Sequence, residues 1–226
     1  MFGKKLLDIN TYKSFYREKK SFTKIYSNSD FFFYRFNSTG NFQINVVSYF
    51  LSIDSQNPKI IKLYKVNAND IFYFKFNLKY FFFSNKKISL KKINTLINNE
   101  HKSLKILNTK TKYWGQIITL FNNKKFNLAA KVIYMNKNTQ SSLEYHLNKT
   151  EAYYIELGMI HLGLRYGRAK QSIIKLSAKS SFFMSRGIMH MRISKKDSMI
   201  VEISTFDEDS DSYIVEDGKK FNFQLR

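Results

Sequence analysis

Short runs of aromatic and β-branched residues, bounded by Asn, Ser, Gly or Pro, succeed one another along most of this chain, and such punctuation favours strands. Phe31 to Phe36, Phe42 to Ile53, Ile60 to Val66 and Ile71 to Phe83 are runs of this kind. Turn chemistry separates them at Asn37-Ser38-Thr39-Gly40, Ser55-Gln56-Asn57-Pro58 and Asn67-Ala68-Asn69-Asp70. Strands at this spacing predict a sandwich or barrel rather than βαβ units. Ser89 can cap a helix that places Leu90, Ile93, Leu96 and Ile97 on one face and ends at Asn98-Asn99. A polar, Lys-rich stretch from Glu100 to Lys112 follows, the natural boundary between an N-terminal domain over 1–110 and a second over 111–226. From Gln116 to Thr205 short apolar or alternating strands resume, predicting a compact antiparallel barrel or jelly roll. The expected class is all-β.

Composition removes several chemistries. There is no Cys, which excludes a disulfide framework, a thiolate nucleophile and any Cys-ligated metal. With 22 Phe, 15 Tyr and 226 residues, the chain has ample material for a buried core and lacks the signature of disorder. The formal charge of +21 would raise nucleic acid or an anionic surface as partner. The excess is mostly Lys, accompanied by abundant Asn, Ile, Phe and Tyr, and its clusters, such as Lys86-Lys87 and Lys91-Lys92, are short and dispersed. That pattern is a compositional bias with solvated lysines, so nucleic acid is not favoured. The longest apolar runs are far too short to cross a membrane, so no membrane association is expected and a cytoplasmic protein is the expectation.

A repeat is expected to link the halves. Ile60 to Lys79 can be laid on Ile173 to His190, both opening with Ile-Ile-Lys-Leu, which would make Lys79 the counterpart of His190. Two copies of one barrel, the first degenerate, would follow.

Among four histidines, two stand in a constellation. In Tyr145-His146-Leu147-Asn148-Lys149-Thr150-Glu151, period-two alternation puts His146 and Asn148 on one face of a strand, and six residues separate Glu151 from Gly158. Gly187-Ile188-Met189-His190 offers a second imidazole after a Gly turn. These pieces, together with Tyr113-Trp114-Gly115 and the acidic stretch from Glu202 to Asp217, resemble the cupin superfamily, most of all the cupin domain of type II mannose-6-phosphate isomerases, often fused to mannose-1-phosphate guanylyltransferases. The resemblance covers roughly residues 113 to 218, with four pieces in order and spacing. It implies a double-stranded β-helix, or a bicupin if the repeat is real. It further implies metal ligands at His146, Glu151 and His190, with Asn148 where the family has a second His. Departures are Gln140 for a basic residue, Lys137-Asn138 for Pro-Gly, Ser185 for Pro, Lys149 for Arg and Glu144 for Gln.

Two imidazoles, one carboxylate and an amide suit Zn, Mn, Fe or Ni, with positions open for substrate, although the Asn could weaken the site or leave it vacant. The implied activity is an aldose–ketose isomerase acting on a sugar phosphate or nucleotide-sugar precursor, with Lys149 countering substrate charge and Glu144 as candidate base. The alternative is a non-catalytic cupin that binds a sugar or serves in an assembly. The family's habit of pairing through barrel edges makes a homodimer the expected state.

Overall fold

The computed structural model describes residues 13–14, 22–94, 101–165, 167 and 171–220. It forms two compact units, one of Arg17–Ile106 with Lys124–Leu128, the other of Met1–Tyr16, Leu107–Asn123 and Ala129–Arg226. Among the described residues no helix is long and apolar enough to cross a membrane.

The first unit contains β2 (Phe22–Ser27), β3 (Phe32–Phe36), β4 (Gly40–Ile44), β5 (Ser48–Asp54), β6 (Ile61–Val66), β7 (Ile71–Phe74), β8 (Leu78–Ser84) and β9 (Leu90–Ile93). They form sheets ordered β2-β3-β8-β5-β6 and β7-β4-β9. Aromatic rings fill the interior between them. Phe50 meets Phe72 at 4.6 Å between centroids, Phe36 meets Phe42 at 4.9 Å and Phe74 meets Tyr80 at 4.8 Å, mostly edge-on, the geometry ring quadrupoles prefer.

The second unit holds β1 (Lys13–Ser14), β10 (Asn108–Lys112), β11 (Gly115–Asn123), β12 (Leu128–Met135), β13 (Leu143–Tyr145), β14 (Glu151–Leu157), β15 (Met159–Arg165), β16 (Ser172–Ser177), β17 (Ser180–Met184), β18 (Met189–Ser194), β19 (Ser198–Ser204) and β20 (Tyr213–Glu216). Their order is β1-β17-β14-β19-β12-β11-β10 in one sheet and β16-β15-β18-β13-β20 in the other. Trp114, Tyr153, Ile155, Leu162, Phe182 and Ile200 pack in its core. Gly158, at φ +83°, turns β14 into β15 where a Cβ would run into Asp197 and Ser198.

The two units repeat one pairing scheme. The ladders β3–β8, β5–β8 and β5–β6 match β12–β19, β14–β19 and β14–β17, while β4 lies between β7 and β9 as β13 lies between β18 and β20. The second unit adds the β15–β16 hairpin. This corrects the register read from Ile-Ile-Lys-Leu. Topology equates β6 with β17 and β7 with β18, so the counterpart of His190 lies on β7 and not at Lys79, which belongs to β8. The extra hairpin shifts the strand count, and two amphipathic strands in an Ile- and Lys-rich chain suffice to produce the shared tetrapeptide.

The helix expected from Ser89 is also corrected. Leu90–Ile93 is a strand that pairs with β4 from Ile44↔Leu90 to Asn41↔Ile93, anchored by Ser89 N–H donating to Asn45 Oδ1 at 2.6 Å. Pairing along β4 outweighs a weak 3.6-residue pattern. The rest of that expected helix, 95–99, lies outside the described residues.

Candidate metal centre and its charged wall

Strand alternation aims Glu144 and His146 inward at the end of β13, and places His190 directly opposite Glu144 on β18. The segment between β13 and β14 is shaped by Asp211, which sits in a single 3-10 turn and is buried. Its carboxylate accepts the backbone N–H groups of Leu147, Asn148 and Lys149 at 3.0–3.1 Å. It also accepts Asn148 Nδ2 at 3.2 Å, so the Asn148 amide turns toward Asp211. Consecutive backbone amides converging on a carboxylate form an anion nest.

Both imidazoles are held in one sense. His146 Nδ1 donates to the Asp211 carbonyl at 2.8 Å, and His190 Nδ1 donates to the Ile188 carbonyl at 3.1 Å. A carbonyl only accepts, so each neutral ring carries its proton on Nδ1 and has a lone pair on Nε2. His190 Nε2 is buried with no hydrogen-bond partner, although Glu151 Oε2 is 3.3 Å away. Burial pushes the His190 imidazole down, outweighing the pull of Glu151 and Glu144, and keeps it neutral. His146 Nε2 lies 3.6 Å from Glu151 Oε1.

Behind the histidines lies a wall of paired charges. Lys149 Nζ contacts Glu151 Oε1, Glu202 Oε1 at 3.0 Å and Asp207 Oδ1 at 2.8 Å. Burial works against that ammonium, but the three carboxylates prevail and raise its pKa well above that of an ordinary lysine. Glu151 is likewise held well below the usual carboxylate range, because the Lys149 ammonium foremost, with Arg192, outweighs its burial. Its other oxygen accepts the Tyr153 hydroxyl at 2.7 Å. Arg192 Nη2 is 2.6 Å from Glu144 Oε1, its guanidinium lies 5.8 Å from the centroids of Trp114 and Tyr153, and Ser212 donates to Glu144 Oε2 at 3.0 Å.

Glu144, His146, Lys149, Glu151, Arg192 and Glu202 line a cavity of about 320 Å³ that Lys110 and Lys112 of β10 also border. Of the residues expected at the site, His146, Glu144, Glu151 and Lys149 line it and His190 meets Glu144, His146 and Glu151 beside it, while the Asn148 side chain is engaged elsewhere. The sequence ranks Arg192 behind Lys149 as the basic residue beside the site, shows Glu202, Asp207 and Asp211 only as part of the acidic stretch, and gives Tyr153 no role. Arg192 stands two residues after His190, and that same-face spacing was its available signal.

The donors fit a divalent ion. Ligand atoms of Glu144, His146 and His190 all lie within 4.8 Å of one another, and the His190 Nε2 atom is buried with no hydrogen-bond partner among the described residues. Fixing Nδ1–H on a carbonyl is the outer support that metal-ligating imidazoles need.

In the first unit, on the strands that match β13, β14 and β18, Phe42 and Ile44 of β4, Ser48 of β5 and Phe74 of β7 are buried, and no His or carboxylate is among them. That unit has a packed aromatic interior where the other has a His/Glu group.

No family model and no curated protein matches this sequence. Solved structures do. Bacillus subtilis oxalate decarboxylase superposes with TM-score 0.54 at 10% identity, covering 90% of this chain and 78% of that one. Lactobacillus farciminis oxalate decarboxylase, as its formate complex, gives 0.52 at 10% identity over 91% and 87%. Procruciferin, the 11S globulin of Brassica napus, gives 0.56 at 9% identity over 83% and 79%. At such identities the likeness shows the fold: this is an all-β chain of cupin jelly rolls.

Proposed function

We propose that the second barrel is a metal-dependent site acting on a small, oxygen-rich substrate of the sugar-phosphate class, as an aldose–ketose isomerase. The observation that carries this reading is the pair of imidazoles with Nδ1 fixed on carbonyls and Nε2 free beside carboxylates. When bound, a divalent metal would polarise a carbonyl and its neighbouring hydroxyl.

The chain's own residues supply the rest. A proton moving between adjacent carbons needs an ionised carboxylate on the cavity wall. Glu144 and Glu151 are both held below the usual carboxylate range by the cations around them, although burial opposes this. Tyr153 keeps its proton, since burial and the nearby Glu151 raise its pKa well above that of a free phenol, and it orients Glu151. Arg192 orients Glu144. A phosphate would meet Lys112 and Lys110 at the rim, where the exposed Lys110–Asp209 pair at 3.1 Å is weak enough to exchange.

A second reading, a non-catalytic cupin, is favoured by Lys149, whose ammonium already neutralises carboxylates that a metal would otherwise balance.

The test is elemental analysis of the purified chain beside His190→Ala, with NMR of mannose 6-phosphate and fructose 6-phosphate interconversion. Stoichiometric metal lost in the variant, with turnover, is expected. No metal in either protein after supplementing Zn, Mn, Fe or Ni sinks the metal reading, and metal without turnover sinks the isomerase.

A further inference from the structure

Resting on the reading of this barrel as a metal site, we propose that its carboxylate ligand is Glu144, and that Asn148 and Glu151 both stand outside the ligand set. The sequence pattern around His146 points the other way, so the assignment depends on where the side chains are held.

Asn148 is withdrawn by Asp211. Its Nδ2 donates to the Asp211 carboxylate at 3.2 Å, and its backbone N–H is bound by both oxygens of the same group, so bringing the amide oxygen to the histidines would break the nest. Glu151 is committed to the charged wall. Oε1 pairs with the Lys149 ammonium, and Oε2, 3.3 Å from His190 Nε2, accepts the Tyr153 hydroxyl at 2.7 Å, with the side chain almost wholly buried. Lys149 is a resident monocation fixed by three carboxylates, and a dication drawn to Glu151 would approach it in a medium where like charges repel strongly.

Glu144 differs in place and support. It stands on the cavity side, its side chain 17% exposed, two residues before His146 on the same strand face and opposite His190 in the ladder. Its Oε1 lies 4.0 Å from His190 Nε2, so little movement would bring carboxylate and imidazole onto one ion. Arg192 and Ser212 each bond one oxygen, the outer support a ligating carboxylate requires, and leave a lone pair on each. Two His and one carboxylate then converge on one point, with Glu144 and His146 on the cavity wall and positions open for substrate.

The experiment uses the full chain, stripped with chelator and titrated with Co(II), reading dissociation constant and visible ligand-field spectrum for wild type, Glu144→Gln and Glu151→Gln. Glu144→Gln is expected to weaken Co(II) by at least about tenfold and shift the spectrum, while Glu151→Gln changes affinity by less than about threefold. If Glu151→Gln fails to fold because Lys149 loses a partner, the double variant Lys149→Met/Glu151→Gln replaces it and is expected to retain the Co(II) spectrum. Loss of binding on neutralising Glu151, or no effect of Glu144→Gln, overturns this assignment while leaving the metal site standing. Failure of the wild type to bind Co(II) removes the metal reading itself.

Discussion

Lys149 Nζ lies 2.8 Å from Asp207 Oδ1, and the same ammonium is shared with Glu151 and Glu202. Its side chain is 3% exposed, so the pairing takes place away from water. Removing one partner of a buried ion network leaves uncompensated charge and costs about 3–5 kcal/mol. Lys149→Met, which keeps the volume, should therefore lower stability by about that amount, measured as the urea midpoint. Lys149→Met/Glu151→Gln should recover part of the loss, because it removes opposite charges together. Equal losses in single and double variants would show that packing, not charge, sets the cost.

Acid should undo the same network in a defined direction. Burial opposes ionisation of Asp207, but Lys149 and Lys131 outweigh it, the latter at 2.6 Å, and hold its carboxyl below the usual range. A depressed folded pKa means that the unfolded chain takes up the proton first. The contribution is complete above the unfolded value of about 3.9 and is lost as pH falls below it toward the folded value. Urea midpoints across this acid range should drop more steeply for wild type than for Asp207→Asn, which is weaker near neutrality. Parallel slopes would assign the acid sensitivity to other carboxylates.

The barrel class was legible because period-two alternation and turn residues are local signals, and the second unit keeps both, as Gly158 shows. The histidines were legible because a strand ladder preserves spacing: Glu144, His146 and His190 meet through one register. What escaped was set by groups distant in sequence. Asp211 turns Asn148 aside from 63 positions away, and Lys149 reads as a cation for substrate charge until Glu202 and Asp207 close around it. The strand at Leu90–Ile93 escaped for the same reason, since only β4 decides it.

Asp211 should behave as a positioning residue for His146. It accepts four N–H bonds from residues 147–149 through its side chain, and His146 Nδ1 through its carbonyl. Asp211→Ala keeps the carbonyl but empties the nest, leaving three backbone donors partly unsatisfied. The expected outcome is a stability loss of about 1–3 kcal/mol and a fall of about 10–100-fold in Co(II) affinity. Asp211→Asn, which retains one acceptor oxygen, should fall between. A stability loss with unchanged Co(II) affinity and spectrum would make the nest structural only.

Two phenylalanines of the first unit should separate burial from exposure. Phe50 is fully buried and packs on Phe72, Phe74, Tyr80 and Phe82, whereas Phe76, at the turn between β7 and β8, is 92% exposed. Truncating a buried ring forfeits its transfer energy and leaves a cavity that neighbouring rings fill poorly, so Phe50→Ala should cost about 3–5 kcal/mol. Phe76→Ser removes little that is shielded from water and should stay within about 0.5 kcal/mol of wild type. Denaturant midpoints followed by tyrosine fluorescence check both. A large loss for Phe76→Ser would mean that this ring is covered in solution and that the turn is an interface.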